Sequence, residues 1–143
     1  MTDAYRIGGF GTNVSTGRVF KALSTPSFGL ATNTGICFKQ TGADYVVTAG
    51  KTFHATGYVM LANAAYNFTA TAYVEVRYAN NAALTDTPVT MFSVISPAVV
   101  VSVPVMISVG NISAPAGKYV GVHNVGAGNM SAGAIVFIVG YEE

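Results

Sequence analysis

The sequence predicts an all-β protein, an eight-stranded antiparallel β-sandwich with the two-sheet jelly roll as leading topology, preceded by an extended N-terminal arm. Three observations lead there. Apolar residues alternate with polar ones at a period of two, turn-forming Gly, Pro and Asn punctuate the runs, and no stretch carries the stripe of an amphipathic helix. At 143 residues the chain has the size of one domain, able to bury roughly 70% of the surface its unfolded form exposes.

Residues 1–34 form the arm. Gly8, Gly9, Gly11, Gly17 and Gly29 lie among small polar residues with scattered anchors at Ile7, Phe10, Val19 and Phe20, and one short strand is expected around 18–23. Such a segment cannot fold alone, so it is expected to lie on a partner or a neighbouring subunit. The second unit, 35–143, carries the expected strands 35–39, 44–48, 52–61, 69–78, 89–95, 99–109, 118–124 and 134–141. In 52–61, strict alternation places Phe53, Ala55, Gly57, Val59 and Leu61 on one face and Thr52, His54, Thr56, Tyr58 and Met60 on the other. In 69–78, Val74, Val76 and Tyr78 oppose Tyr73, Glu75 and Arg77. The last strand is apolar on both faces, which predicts a central position or cover by another subunit.

Charge is scarce. Charged residues make up 9% of the chain and mean hydropathy is +0.47, against about 25% charged in an average domain. Between Thr87 and Tyr141 the one formal charge is Lys118. A surface so poorly defended favours a closed homo-oligomer that buries it. The net charge of +1, without a Lys/Arg cluster, gives no field for nucleic acid or an acidic membrane, so neither is expected as a partner. A membrane span across 94–110 is disfavoured by the two-residue alternation of Val101, Val103, Val105, Ile107 and Val109 and by Pro97 and Pro104. The opening MTDAYRIGGFGTNVSTGR lacks the apolar run of a secretory signal, so synthesis in a cytoplasm is expected. The Asn-x-Ser/Thr triplets at Asn13, Asn67, Asn111 and Asn129 then reflect composition rather than glycan acceptors.

Little in the sequence suggests a reaction. Gly50-Lys51-Thr52 ends like a phosphate-binding loop, but that loop needs a glycine five residues earlier, where Tyr45 stands, and a helix after it, where a strand pattern follows. The fragment Ala-Gly-Lys recurs at 116–118 before another strand, so both copies read as one turn in which Gly takes a positive φ and Lys keeps the end soluble. His54 and His123 lie on strand faces shared with polar residues and read as solvent- or interface-facing. Neither forms a motif with a nucleophile, and no spacing joins them to Asp44 or Glu75 as metal ligands. The carboxylates of Asp3, Asp44, Glu75, Asp86, Glu142 and Glu143 are dispersed, without the pairing that glycoside hydrolysis requires. Cys37, between Ile36 and Phe38, reads as a buried strand residue. No cofactor, metal or catalytic residue is expected.

The segments YVVTAGKTFHATGYVMLANAA and APAGKYVGVHNVGAG, with the glycine-rich arm and the nearly uncharged C-terminal half, resemble small jelly-roll proteins of tailed-phage particles. The resemblance is to the trimeric cement or decoration proteins of capsids, and secondly to the head domains of fibres. It implies a homotrimer on the virion surface that binds a major capsid protein or another virion protein and stabilises the shell. Val99, Val101, Val103, Val105, Ile107, Val136 and Ile138 are the expected oligomer interface, and Ile7, Phe10, Val19 and Phe20 the expected shell-contacting arm residues. The alternative is a fibre-tip or lectin-like receptor- or glycan-binding head, with Tyr58, Tyr66, Tyr73 or Tyr78 as stacking platforms and 62–69 and 78–87 as loop tips.

Overall fold

A computed structural model describes residues 17–62, 72–96, 105–125 and 130–143. Among them there is no helix, and hence none long and apolar enough to cross a membrane. The strands are β1 (Val19–Ser24), β2 (Phe28–Leu30), β3 (Thr34–Cys37), β4 (Lys39–Gln40), β5 (Ala43–Asp44), β6 (Thr52–Ala62), β7 (Ala72–Ala79), β8 (Val89–Ser96), β9 (Val105–Pro115), β10 (Tyr119–Asn124) and β11 (Met130–Glu142). They make two antiparallel sheets. The first runs β5-β4-β1-β11-β6-β9, with β2 also on β11, and the second runs β3-β10-β7-β8. One core lies between them, built from Leu23, Phe53, Tyr58, Met60, Val136 and Ile138 of the first sheet and Val74, Val76, Val120 and Val122 of the second.

Several expected elements shift for identifiable reasons. The expected strand 35–39 divides at Phe38: β3 belongs to the second sheet and β4 to the first. The Phe38 ring is buried at the crossing, its N–H donating to Val120 O (2.9 Å) and its carbonyl accepting from Tyr45 N–H (2.7 Å). The division at 34/35 does not follow the sheets either, because β1 pairs along its whole length with β11 and β2 joins the same strand. Strand 44–48 contracts to β5 and one bridge between Val46 and Tyr119. Strand β11 is central, between β1 and β6, as its two apolar faces require.

Strand β6 departs from strict alternation at Thr56. Gly57 pairs with Val139 and Ala55 with Gly140, so Thr56 is an extra residue opposite β11. The faces exchange there: Phe53 and Ala55 point into the core before the bulge, Tyr58 and Met60 after it, and Val59 turns outward.

Both Ala-Gly-Lys turns have the expected backbone. Gly50 and Gly117 each have φ +76°, a conformation that favours glycine. The turns are neighbours in space: Val47 N–H donates to Lys118 O (3.0 Å) and Gly117 N–H to Val47 O (2.9 Å). Lys51 Nζ donates to Gly17 O (3.0 Å), and Lys118 Nζ to Asn80 Oδ1, both at the exposed end of the fold.

Beside these turns a carboxylate is buried at the end of the core. Glu142 is 2% exposed. Its Oε1 accepts from the Tyr45 hydroxyl (2.8 Å) and Thr48 N–H (2.9 Å), and its Oε2 from the Thr48 hydroxyl (2.8 Å), with Lys21 Nζ at 3.1 Å. Burial pushes the acid's pKa upward, but the Thr48 amide, the Tyr45 and Thr48 hydroxyls and Lys21 together outweigh it and hold the group below the ordinary carboxylate range. Burial, then the Glu142 bond and its charge, drive the Tyr45 phenol far upward, so it stays a donor.

Two stability tests follow. A Cβ on Gly140 would lie 2.0 Å from the His54 carbonyl oxygen, whereas on Gly117 it would meet nothing within 4 Å. In urea titrations Gly140→Ala is expected to lose more than about 2 kcal/mol by backbone overpacking, and Gly117→Ala about 1 kcal/mol from the positive φ alone. Glu142→Gln leaves Lys21 buried without its counter-charge and should cost about 3 kcal/mol at pH 7, part of it recovered by adding Lys21→Met. Because the folded acid's pKa lies below its ordinary 4.5, its stabilisation is full above that pH and is lost as pH falls through the folded value. Glu142→Gln should therefore flatten the acid limb of the stability curve.

Candidate functional site

The outer face of the first sheet offers the candidate site. Cross-strand register places Phe20 opposite Tyr141, Ala22 opposite Val139 and Ser24 opposite Phe137. On the other flank of β11, Val59 faces Phe137, Gly57 faces Val139 and His54 faces Tyr141. These residues share one side of β1, β11 and β6, and from Phe20 to Val59 none carries a formal charge. Phe20 is 72% exposed and Phe137 38%. Single exposed apolar residues are ordinary; two Phe rings on one continuous uncharged face mark a surface suited to association.

Its polar border is one cluster. The Arg18 guanidinium lies over the Tyr141 ring (4.6 Å to the centroid), and Tyr141 stacks on His54 (5.0 Å, 22° between planes). Glu143 reaches both ends of the stack, through Arg18 Nε at 2.6 Å and His54 Nε2 at 3.6 Å. The carboxylate and the guanidinium brace the aromatic pair at the border of the apolar face.

The expected interface residues need correction. Val136 and Ile138 are fully buried in the chain's own core, so their side chains are not available to a partner. With both faces of β11 apolar, alternation alone did not say which faced inward; the outward set is Phe137, Val139 and Tyr141. Val105 and Ile107 stand in β9 opposite Met60 and Tyr58, and Val99, Val101 and Val103 lie outside the described residues. Of the arm set, Val19 and Phe20 belong to β1, while Ile7 and Phe10 lie outside the described residues.

The residues weighed for chemistry are dispersed. His54 stands on the outer side of the first sheet and His123 in the second, and no group of three or more His, Cys, Asp or Glu among the described residues is arranged to hold a metal. His123 is 4% exposed, not solvent- or interface-facing as its strand pattern suggests, because the 80–88 segment folds over it. Asp44 pairs with Lys39, Glu75 with Arg77, Glu142 with Lys21 and Glu143 with Arg18. Tyr58 is buried in the core, edge-on to Phe92, and Tyr78 packs against that core. Tyr66 and most of loop 62–69 lie outside the described residues. Asn81 of the other loop is occupied with Thr85 and Asp86 of the same turn.

Comparison with protein-family models, curated proteins and solved structures gave no match.

Cys37 is buried, its thiol directed to Val120 O (3.3 Å) and Tyr45 O (3.5 Å). Burial, ahead of the Asp44 charge, pushes it up to about 11. Ellman's reagent is expected to leave the native protein unmodified at pH 8 and to titrate one thiol in denaturant.

Proposed function

We propose that the chain is a structural virion protein, a capsid cement or decoration protein that binds the outer shell as a homotrimer and stabilises it. The observation that carries this reading is the uncharged outer face of the first sheet around Phe20 and Phe137, on a chain with 9% charged residues. Self-association through that face costs little desolvation of charge, and obligate interfaces often bury 2,000 Å² or more in total. Each trimer would then hold adjacent shell proteins by several weak contacts at once, which raises the cost of shell expansion without any single strong site.

The jelly-roll topology is part of the same reading, and strand order supports it. Eight strands of the described residues have four residues or more: β1, β3, β6, β7, β8, β9, β10 and β11. Numbered one to eight in that order, the first sheet runs 1-8-3-6 and the second 2-7-4-5, the interleaving that two wrapped Greek keys produce. The sequence resemblance to phage cement proteins points the same way. The reading assigns no catalytic step, and places the protein on the virion surface.

Native mass spectrometry is expected to find three chains, and the double variant Phe20→Asp, Phe137→Asp to find one with an unchanged far-ultraviolet spectrum. A wild-type monomer would overturn the oligomer. Particles assembled without the protein should lose resistance to heat or osmotic shock; unchanged resistance, or selective binding on a glycan array, would favour a receptor-binding head instead.

A further inference from the structure

The second sheet carries a different device on its outer side. Register places His123 of β10 between Gly35 of β3 and Glu75 of β7, and Gly121 between Cys37 and Arg77. Residues 80–88, which join β7 to β8, lie over this surface. Leu84 is fully buried there, its Cδ1 2.7 Å from where a Gly121 Cβ would stand, and the Ala83 carbonyl is 3.1 Å from the equivalent point on Gly35. Arg77 Nη1 donates to Leu84 O (3.2 Å), while its Nε donates to Glu75 Oε2 (3.1 Å).

We propose that residues 80–88 are a strap that closes over neutral His123 and is released when that histidine takes a second proton. The imidazole is enclosed, and its Nδ1 has no hydrogen-bond partner among the described residues; its other polar contact is with the Asn33 backbone. A neutral ring can leave Nδ1 as a bare acceptor at modest cost. A protonated ring has an N–H there with nothing to receive it, and a charge beside Arg77.

The neighbouring charges do not offset that cost. From β7 face Arg77 and Glu75, and the Glu75 carboxylate already serves Arg77. From β3 comes the Cys37 thiol, turned to Val120 O and Tyr45 O. The strap brings Asp86, whose carboxylate accepts from the Thr87 hydroxyl, and Lys118 beside β10 is tied to Asn80 at the strap's base. Burial first, and Arg77 second, hold His123 below its ordinary value against the opposing pull of Glu75 and Asn33.

The strap is built to move as a unit. Asn81 Oδ1 accepts from Thr85 N–H (2.9 Å) and Asp86 N–H (3.1 Å), and Asn80 N–H donates to Asp86 O (2.9 Å), so its shape is internal. Leu84 and Thr87 hold φ of +61° and +49°, strain that the closed contacts must offset. Lifting it would let water reach His123 and leave the two sheets paired.

Hydrogen exchange followed by mass spectrometry tests this on the wild-type chain. After correction for intrinsic rates, protection over 80–88 should be constant above about pH 6.5 and fall about tenfold per pH unit below it, while β11 stays protected. His123→Gln, which cannot gain a proton, should make strap protection independent of pH. Glu75→Gln removes the carboxylate that favours protonation in the closed state, so the onset should stay near pH 6.5 and the fall should continue to lower pH than in the wild type. A flat wild-type profile overturns the strap without need of a variant. So does simultaneous loss in β11, or a Glu75→Gln profile that levels off at higher pH than the wild type.

Discussion

Glu142 sets the geometry of one end of the fold, because a buried carboxylate must be given donors and those donors come from two other parts of the chain. Lys21 supplies the charge from β1, Tyr45 and Thr48 supply hydroxyls and an amide from the segment before β6, and the acid itself ends β11. The next residue, Glu143, exchanges backbone bonds with Thr52, where β6 begins. That pairing fixes the side chain of Glu143 where it meets both Arg18 and His54. The inner carboxylate therefore orients the outer cluster, and the outer cluster marks where the apolar face of the first sheet ends.

The two Ala-Gly-Lys turns belong to the same construction. Thr48 lies just before the first, and Val47 is bonded on both sides of the second. A phosphate cradle would aim free amides outward; here the amide of Thr48 is spent on Glu142 and that of Gly117 on Val47. The sequence logic that read a repeated turn was sound because positive φ and strand alternation are local properties. What it could not supply was that the repeats touch, which depends on pairing between residues far apart in the chain.

Local properties also explain which parts of the fold were legible. An all-β chain, a central last strand, a short strand near residue 20 and a buried Cys37 all follow from alternation and composition. The inward parity of β11 did not, since Val136 and Phe137 are equally apolar and only the packed partner distinguishes them. Nor did the exchange of faces in β6, because Thr56 is unexceptional in a strand and its bulge is set by the register with β11. His123, on a strand face shared with polar residues, reads from the strand pattern as solvent- or interface-facing. Its burial comes from a segment some forty residues earlier, whose Leu84 sits on Gly121 through a backbone conformation that a leucine seldom adopts.

The scarce charges are spent unevenly over the surface, and the pattern limits how copies of this chain can meet. Lys39 and Asp44 pair on the short strands β4 and β5 at one edge of the first sheet, where an unguarded edge would invite strand addition. Arg18 and Glu143 lie at one end of the face. On the second sheet, Arg77 and Glu75 lie on the outer side with the 80–88 strap across it, so the backbone that covers that face comes from the same chain. The outer face of the first sheet, from Phe20 across Phe137 to Val59, has neither charge nor any such self-supplied strap among the described residues. Contact along the β4–β5 edge would have to displace or accommodate ion pairs, and contact over the strap would meet a segment already folded on its own sheet. Contact through the Phe20–Phe137 face meets neither obstacle. The proposed homotrimer would form through this face, since a second copy of this chain carries as few charges as the face does.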